Sequence, residues 1–196
     1  MESPWASRVL YNWIPERAKK TIPHSMEDFM RKMTNSNLQN AFAGESQAHI
    51  RYRNFADRAK KDGFPNIGRL FEAAAASESV HAGNHLGALD GIQETVSNLA
   101  AAADGENFEI EEMYPTYIAI AEQQDEKKAR QSMHRALQAE KVHLDLYRRA
   151  ASEVSAGKDI GRTDYYVCPV CGFTMEGNSP DVCPVCGTKH ELFLKI

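Results

Sequence analysis

Between residues 37 and 61, apolar side chains return with the helical period at Leu38, Ala41, Phe42, Ala48, Tyr52, Phe55 and Ala59, and a Lys-Asp-Gly stop follows. A second stripe, Ile67, Leu70, Phe71, Ala74 and Leu89, begins at Pro65, which suits a first helical turn, and should end at Gly91. A third runs from about Gln93 to Gln124 on Val96, Leu99, Ala103, Ile110, Met113, Tyr117 and Ile120, where Gly105 and Pro115 are expected to loosen or kink it. The fourth covers residues 125–154 through Ala129, Met133, Ala136, Leu144, Tyr147 and Ala151. Four long helices with short connections predict an all-α four-helix bundle over residues 37–154. Residues 1–36 form an N-terminal extension in which Trp5, Val9 and Trp13 predict a short helix docked on the bundle, with a partner-facing role as the alternative. Residues 155–164 read as a linker. Residues 165–196 are rich in turn residues and β-formers. They are too few to fold on an apolar core alone, so a metal should organise them.

The apolar stripes are interrupted by carboxylates. Glu45 stands between Phe42 and Ala48, Glu78 with His81 follows Ala74, Glu106 and Glu109 lie in the third helix, and Glu140 with His143 falls between Ala136 and Tyr147. An ionised carboxylate on a core face is costly unless paired or bound to a cation, and no matching set of Lys or Arg shares these stripes. Residues at i and i+3 share a helix face, so each Glu-x-x-His pair can hold a metal through neighbouring side chains. One such pair on its own is commonplace on solvated helices. Two of them, with one further Glu from each remaining helix, make the di-iron pattern of ferritin-like bundles. Oxygen-rich ligation with one or two imidazoles suits iron or manganese better than a soft metal.

Cys168-Pro-Val-Cys171-Gly and Cys183-Pro-Val-Cys186-Gly are matching knuckles, and together they fit tetrahedral four-thiolate ligation. Their spacing leaves zinc and iron both open, and the cysteines alone favour a structural zinc ribbon. The bundle tips the choice toward iron, because a di-iron site that turns over must be re-reduced and zinc is redox-silent. Tyr166, Phe173 and Phe193 would supply apolar cover for such a centre.

With 196 residues the chain can build one bundle and a small appended module. A net charge of −4 with dispersed basic residues predicts no nucleic-acid partner and no attachment to an anionic membrane. No apolar run approaches the length of a membrane span, and residues 1–20 lack the apolar stretch of a secretory signal. All four cysteines lie in the two pairs, which suits a reducing, cytoplasmic location.

These residues resemble the rubrerythrin family. AFAGESQA (41–48) with Tyr52, ESVH (78–81), GENFEIEEMYP (105–115) and EKVH (140–143) look like its four ligand helices, and the CPVCG knuckles look like its C-terminal rubredoxin-like module. The likeness covers residues 37–196. It implies a ferritin-like bundle whose di-iron centre, which can carry an oxo bridge, is spanned by Glu78 and Glu140, with Glu45, Glu106 and His143 as terminal ligands. His81 and Glu109 would alternate on one iron, His81 when reduced and Glu109 when oxidised, and Tyr52 and Tyr114 would hydrogen-bond around the cluster. A further iron would sit at Cys168, Cys171, Cys183 and Cys186. The implied activity is a non-haem peroxidase that reduces hydrogen peroxide to water in oxidative-stress defence and is refilled through the cysteine iron. The chain has no Gly-rich dinucleotide fingerprint, so NAD(P)H would act through an external reductase. The family's head-to-tail dimers imply a homodimer or larger. A ten-residue linker spans at most roughly 35 Å, which allows same-chain or partner-chain electron delivery.

Two departures from the family stand out: the N-terminal extension, and His85, one turn beyond His81, which is expected to support the ligands or pack rather than ligate. A ferroxidase or iron-handling ferritin-like protein is the enzymatic alternative. A non-catalytic metal-binding protein with a zinc ribbon is the other.

Overall fold

The computed structural model describes residues 30–196, which divide into two compact units at the Gly91–Ile92 junction. The helix expected around Trp5, Val9 and Trp13 lies outside the described residues. The first unit is a hairpin of α1 (Lys32–Lys61) and α2 (Pro65–Ala88). Its seam is built from small side chains, with Ala48, Ala56, Ala59, Gly68, Ala75 and Ala82 buried. A Cβ on Gly68 would stand 2.8 Å from the Lys60 side chain and 3.1 Å from the Ala56 carbonyl, so any other residue there would have to displace Lys60 and ease the two backbones apart. The imidazole of His49 reaches across to the Ala75 carbonyl at 2.7 Å, and Lys60 pairs with Glu72.

The turn between these helices is set by Gly63. It takes φ +87°, in the left-handed region, and donates to the Lys60 carbonyl while Phe64 donates to Ala59. Two carbonyls of the last turn of α1 are thereby satisfied, and the chain is reversed within three residues. Asp90 and Asp125 hold the same conformation after later helices, each at φ 53°. The second helix was expected to stop on Gly91. The left-handed residue is instead Asp90, while a Cβ on Gly91 would push the Leu86 side chain aside.

The second unit contains α3 (Thr95–Phe108), a π-helical segment (Glu109–Met113), α4 (Tyr114–Gln123) and α5 (Lys127–Ser155). The expected kink at Gly105 is absent, since α3 passes through that residue unbroken. The irregularity is the π turn before Pro115. Proline lacks the N–H that would close the preceding helical turn, and a wider turn accommodates the loss. After α5, β1 (Tyr165–Val167), β2 (Thr174–Glu176) and β3 (Leu194–Lys195) form an antiparallel sheet in the order β2-β1-β3. The sheet is tied to α5 by an ion pair from Arg149 to Glu176 at 2.6 Å. The mostly helical class with a small C-terminal metal module agrees with the expectation from sequence. Among the described residues no helix is long and apolar enough to cross a membrane.

Replacing Gly63 by Ala tests the turn. The position is sterically open, so the cost is that of the backbone conformation alone, about 1–2 kcal/mol. Thermal unfolding should register that loss, and an unchanged midpoint would mean that the hairpin does not depend on this turn.

Candidate metal centres

In the first unit, α1 supplies Glu45 and α2 supplies Glu78 and His81. One ligating atom from each lies within 4.8 Å of the others. His81 Nδ1 stands 3.1 Å from a Glu78 oxygen, as i, i+3 spacing on one helix allows. Glu45 and Glu78 hydrogen-bond to each other. That bond, followed by burial and the charge of Glu78, raises the Glu45 carboxyl, while the same bond and the one to His81 lower Glu78. Two carboxylates therefore face each other in a place that a cation would fill. His85 lies outside this compact group, although its charge acts on Glu45. Tyr52 packs its ring 6.3 Å from Phe55 and 6.2 Å from Phe71.

In the second unit, Glu106 from the last turn of α3 meets Glu140 and His143 from α5, again with ligating atoms within 4.8 Å. His143 Nδ1 lies 2.7 Å from Glu140 and 3.8 Å from Glu106. Burial, then the charge of Glu140, pushes Glu106 up to about 6. Its hydrogen bond to Glu140 raises His143 despite burial. Glu109, the first residue of the π segment, stands outside this compact group, yet its carboxyl is raised by burial and by the charge of Glu140. The phenols of Tyr114 and Tyr147 are pushed up by burial and then by nearby carboxylates. Sequence reading placed Tyr147 among apolar stripe positions, although its spacing of four residues from His143 could have shown it beside the site.

Thr174 went unnoticed in the sequence because it lies in the other module. Its Oγ1 is 2.8 Å from His143 Nε2 and donates to the Gly172 carbonyl at 3.2 Å. With the hydroxyl proton so committed, Thr174 accepts from Nε2–H. Nδ1 is then the nitrogen left for a metal, the usual orienting arrangement for a ligand histidine.

The four cysteine sulfurs also lie within 4.8 Å of one another, with Cys168 and Cys183 buried. Cys168 and Cys186 sulfurs are 3.5 Å apart, as are those of Cys171 and Cys183. That is far beyond a disulfide bond of about 2 Å. It is close to the edge of a tetrahedron, about 3.8 Å, that metal–sulfur bonds of about 2.3 Å would define. Each knuckle closes when Gly172 or Gly187, at φ +76° and +74°, donates to the carbonyl of Cys168 or Cys183 at 2.9 Å. Burial raises the Cys171 thiol. Burial also acts on Cys186, but the Thr188 hydroxyl and amide outweigh it and bring that thiol down to about 6. Tyr166, Phe173 and Phe193 are half-buried in this module.

The raised carboxyl of Glu106 sets the sign of a pH effect in metal-free protein. A folded-state value above the ordinary 4.5 contributes stability that is complete below about 4.5 and is lost as pH rises through about 6. The melting temperature of the wild type should therefore fall relative to that of Glu106→Gln over this window, and parallel curves would show that Glu106 titrates as an ordinary surface group. Thr174→Val should weaken ferrous-ion binding at the group containing His143 by about tenfold in a titration, while the cysteine site keeps its metal. Unaltered affinity would reduce the Thr174 contact to packing.

The rubrerythrin family model matches residues 36–151, and a rubrerythrin rubredoxin-like domain model matches residues 166–193. Rubrerythrin-2 of Clostridium acetobutylicum is 41% identical over 175 residues, covering 82% of this chain and 95% of that protein. Nigerythrin of Nitratidesulfovibrio vulgaris is 35% identical over 158 residues, covering 74% and 77%. A solved nigerythrin structure in a mixed-valence state matches with a TM-score of 0.48 at 31% identity, over 86% of this chain and 89% of that one. The two carboxylate–histidine groups and the four thiols have the donor chemistry for a di-iron site and a rubredoxin-like metal site. This chain belongs to the rubrerythrin family, as an oxidoreductase with a di-iron site and a rubredoxin-like four-cysteine module.

Proposed function

We propose that the chain is a non-haem di-iron peroxidase that reduces hydrogen peroxide to two waters, taking up two electrons and two protons, and that it serves in oxidative-stress defence. The observation that carries this reading is the contact between the two metal-binding groups of the second unit: Thr174, three residues after Cys171, holds His143 Nε2 at 2.8 Å. A redox relay needs such a connection, and a purely structural zinc ribbon does not. When bound, the paired irons supply the two electrons that break the O–O bond, and iron at the cysteines returns them singly.

The residues divide the work by position. Glu78 and Glu140 are the proposed bridges, with Glu45, Glu106 and His143 as terminal ligands. The alternation of His81 and Glu109 on one iron rests on the family likeness. Tyr114 and Tyr147 keep their phenolic protons beside the carboxylates and can donate hydrogen bonds to an oxygen there. Electrons would pass from Cys171 through the Gly172 carbonyl and the Thr174 hydroxyl to His143. An external reductase would supply them from NAD(P)H, and the committed thiols suit a reducing, cytoplasmic location.

Replacing Cys168 and Cys171 by Ser separates this reading from ferroxidase activity. A chemically reduced variant should consume one charge of peroxide, while sustained turnover with a reductase and NAD(P)H stops. Equal sustained turnover in both proteins, with iron accumulating as mineral, would overturn the peroxidase assignment.

A further inference from the structure

The two cysteine knuckles share one backbone pattern. Cys168 N–H donates to the Phe173 carbonyl at 2.9 Å, and Cys183 N–H donates to the Thr188 carbonyl at 2.7 Å. The amides two residues beyond the second cysteine of each pair, those of Phe173 and Thr188, bond to the sulfurs of Cys171 and Cys186. The knuckles part company in the side chain at that position. Phe173 brings a ring, whereas Thr188 brings a hydroxyl whose Oγ1 lies 3.1 Å from Cys186 Sγ. Among the described residues no other protein group hydrogen-bonds to that hydroxyl. Cys186 is therefore the sulfur that receives a side-chain bond in addition to its amide.

Metal at the four cysteines sets the direction of this bond. A sulfur binds metal as a thiolate and has no proton to give, so the Thr188 hydroxyl donates and Cys186 Sγ accepts. In the metal-free chain burial works against ionisation of Cys186, and the hydroxyl and amide of Thr188 still bring that thiol down to about 6, as a donor to sulfur should. A ferric ion held by four thiolates leaves one net negative charge, and a ferrous ion leaves two. A fixed hydrogen-bond donor favours the more negative of these states, because the bond strengthens as charge accumulates on the sulfur.

We infer that the Thr188 hydroxyl raises the reduction potential of iron held by Cys168, Cys171, Cys183 and Cys186, by donating to Cys186 Sγ more strongly in the ferrous state than in the ferric state. The step is the gain of one electron from the external reductase. No bond breaks, and the hydroxyl proton stays on its oxygen. The donor acts on the second knuckle, while the connection toward His143 leaves from the first, through the Gly172 carbonyl and Thr174. The proposal rests on iron rather than zinc at the cysteines, and not on peroxide as the substrate.

A spectroelectrochemical titration of the full iron-loaded chain tests it, following the visible ferric–thiolate absorption as it is lost on reduction. Val keeps the methyl group of Thr without its hydroxyl, and Ser keeps the hydroxyl without the methyl group. Thr188→Val should lower the ferrous-to-ferric ratio at a fixed applied potential by about tenfold, a shift of about 59 mV for one electron, and Thr188→Ser should stay near the wild type. A packing role gives the reverse order, with Val silent and Ser displaced. That order would overturn the proposal, as would a Val variant that titrates with the wild type. If Val disturbs the knuckle enough to lose iron, Thr188→Ser and Thr188→Ala carry the comparison, since both lack the methyl group and Ser alone of the two has the hydroxyl. Ala must then titrate lower than Ser, and equal midpoints would refute the bond. Protein made with ample iron that fills the cysteines with zinc, and shows no ferric–thiolate absorption, would remove the iron reading itself, and the proposal would fall with it before any potential is measured.

Discussion

The structure is organised around carboxylates crowded on helix faces that are otherwise apolar. Glu45 with Glu78, and Glu106 with Glu140, lie close enough that each pair raises the proton affinity of one member. Without a cation, protons and hydrogen bonds hold such pairs together, and this is a poor substitute for metal, which neutralises several carboxylates at once. Helix phase, the alanine seam of the first unit and the position of α5 all serve to bring these oxygens within ligating distance. Each unit thus carries a local electrostatic cost where its carboxylates meet, and a bound metal would relieve it. The same logic applies to the Cys171 and Cys183 thiols, where burial opposes deprotonation unless a metal replaces the protons.

The π segment shows how backbone geometry serves that arrangement. An uninterrupted α-helix through residues 105–115 would meet Pro115 with a missing hydrogen bond and no compensation. The wider turn absorbs that defect just after Glu106 and starts at Glu109, so the two carboxylates of this segment come to differ: Glu106 sits in the compact group with Glu140 and His143, and Glu109 stands beside it. A residue near the ligands but outside their first grouping is what an exchangeable ligand would require.

Much of this could be read from residue spacing. The four helices, the Glu-x-x-His pairs and the cysteine knuckles are periodic or local features, and periodicity reports which side chains share a face. Gly63 was legible as a stop for the same reason. What escaped depends on backbone detail or on contacts distant in sequence. The exchange of roles between Asp90 and Gly91 follows from the packing of Leu86. The π turn replaces the kink expected at Gly105. Thr174 lies 31 residues from His143, and nothing in its sequence neighbourhood marks it as a partner for an imidazole. Ile67 and Leu70 show the limit of periodicity most clearly. Their spacing marks them as core positions, yet they stay largely exposed on α2.

The attachment of the cysteine module to α5 has a physical consequence. The cysteine module is joined to α5 by Arg149–Glu176 and by Thr174–His143, so the four thiols and the group of Glu106, Glu140 and His143 lie in one unit. The shortest connection from Cys171 to His143 therefore runs within one unit, through the Gly172 carbonyl and the Thr174 hydroxyl, and the length of that connection is set by how β2 seats on α5.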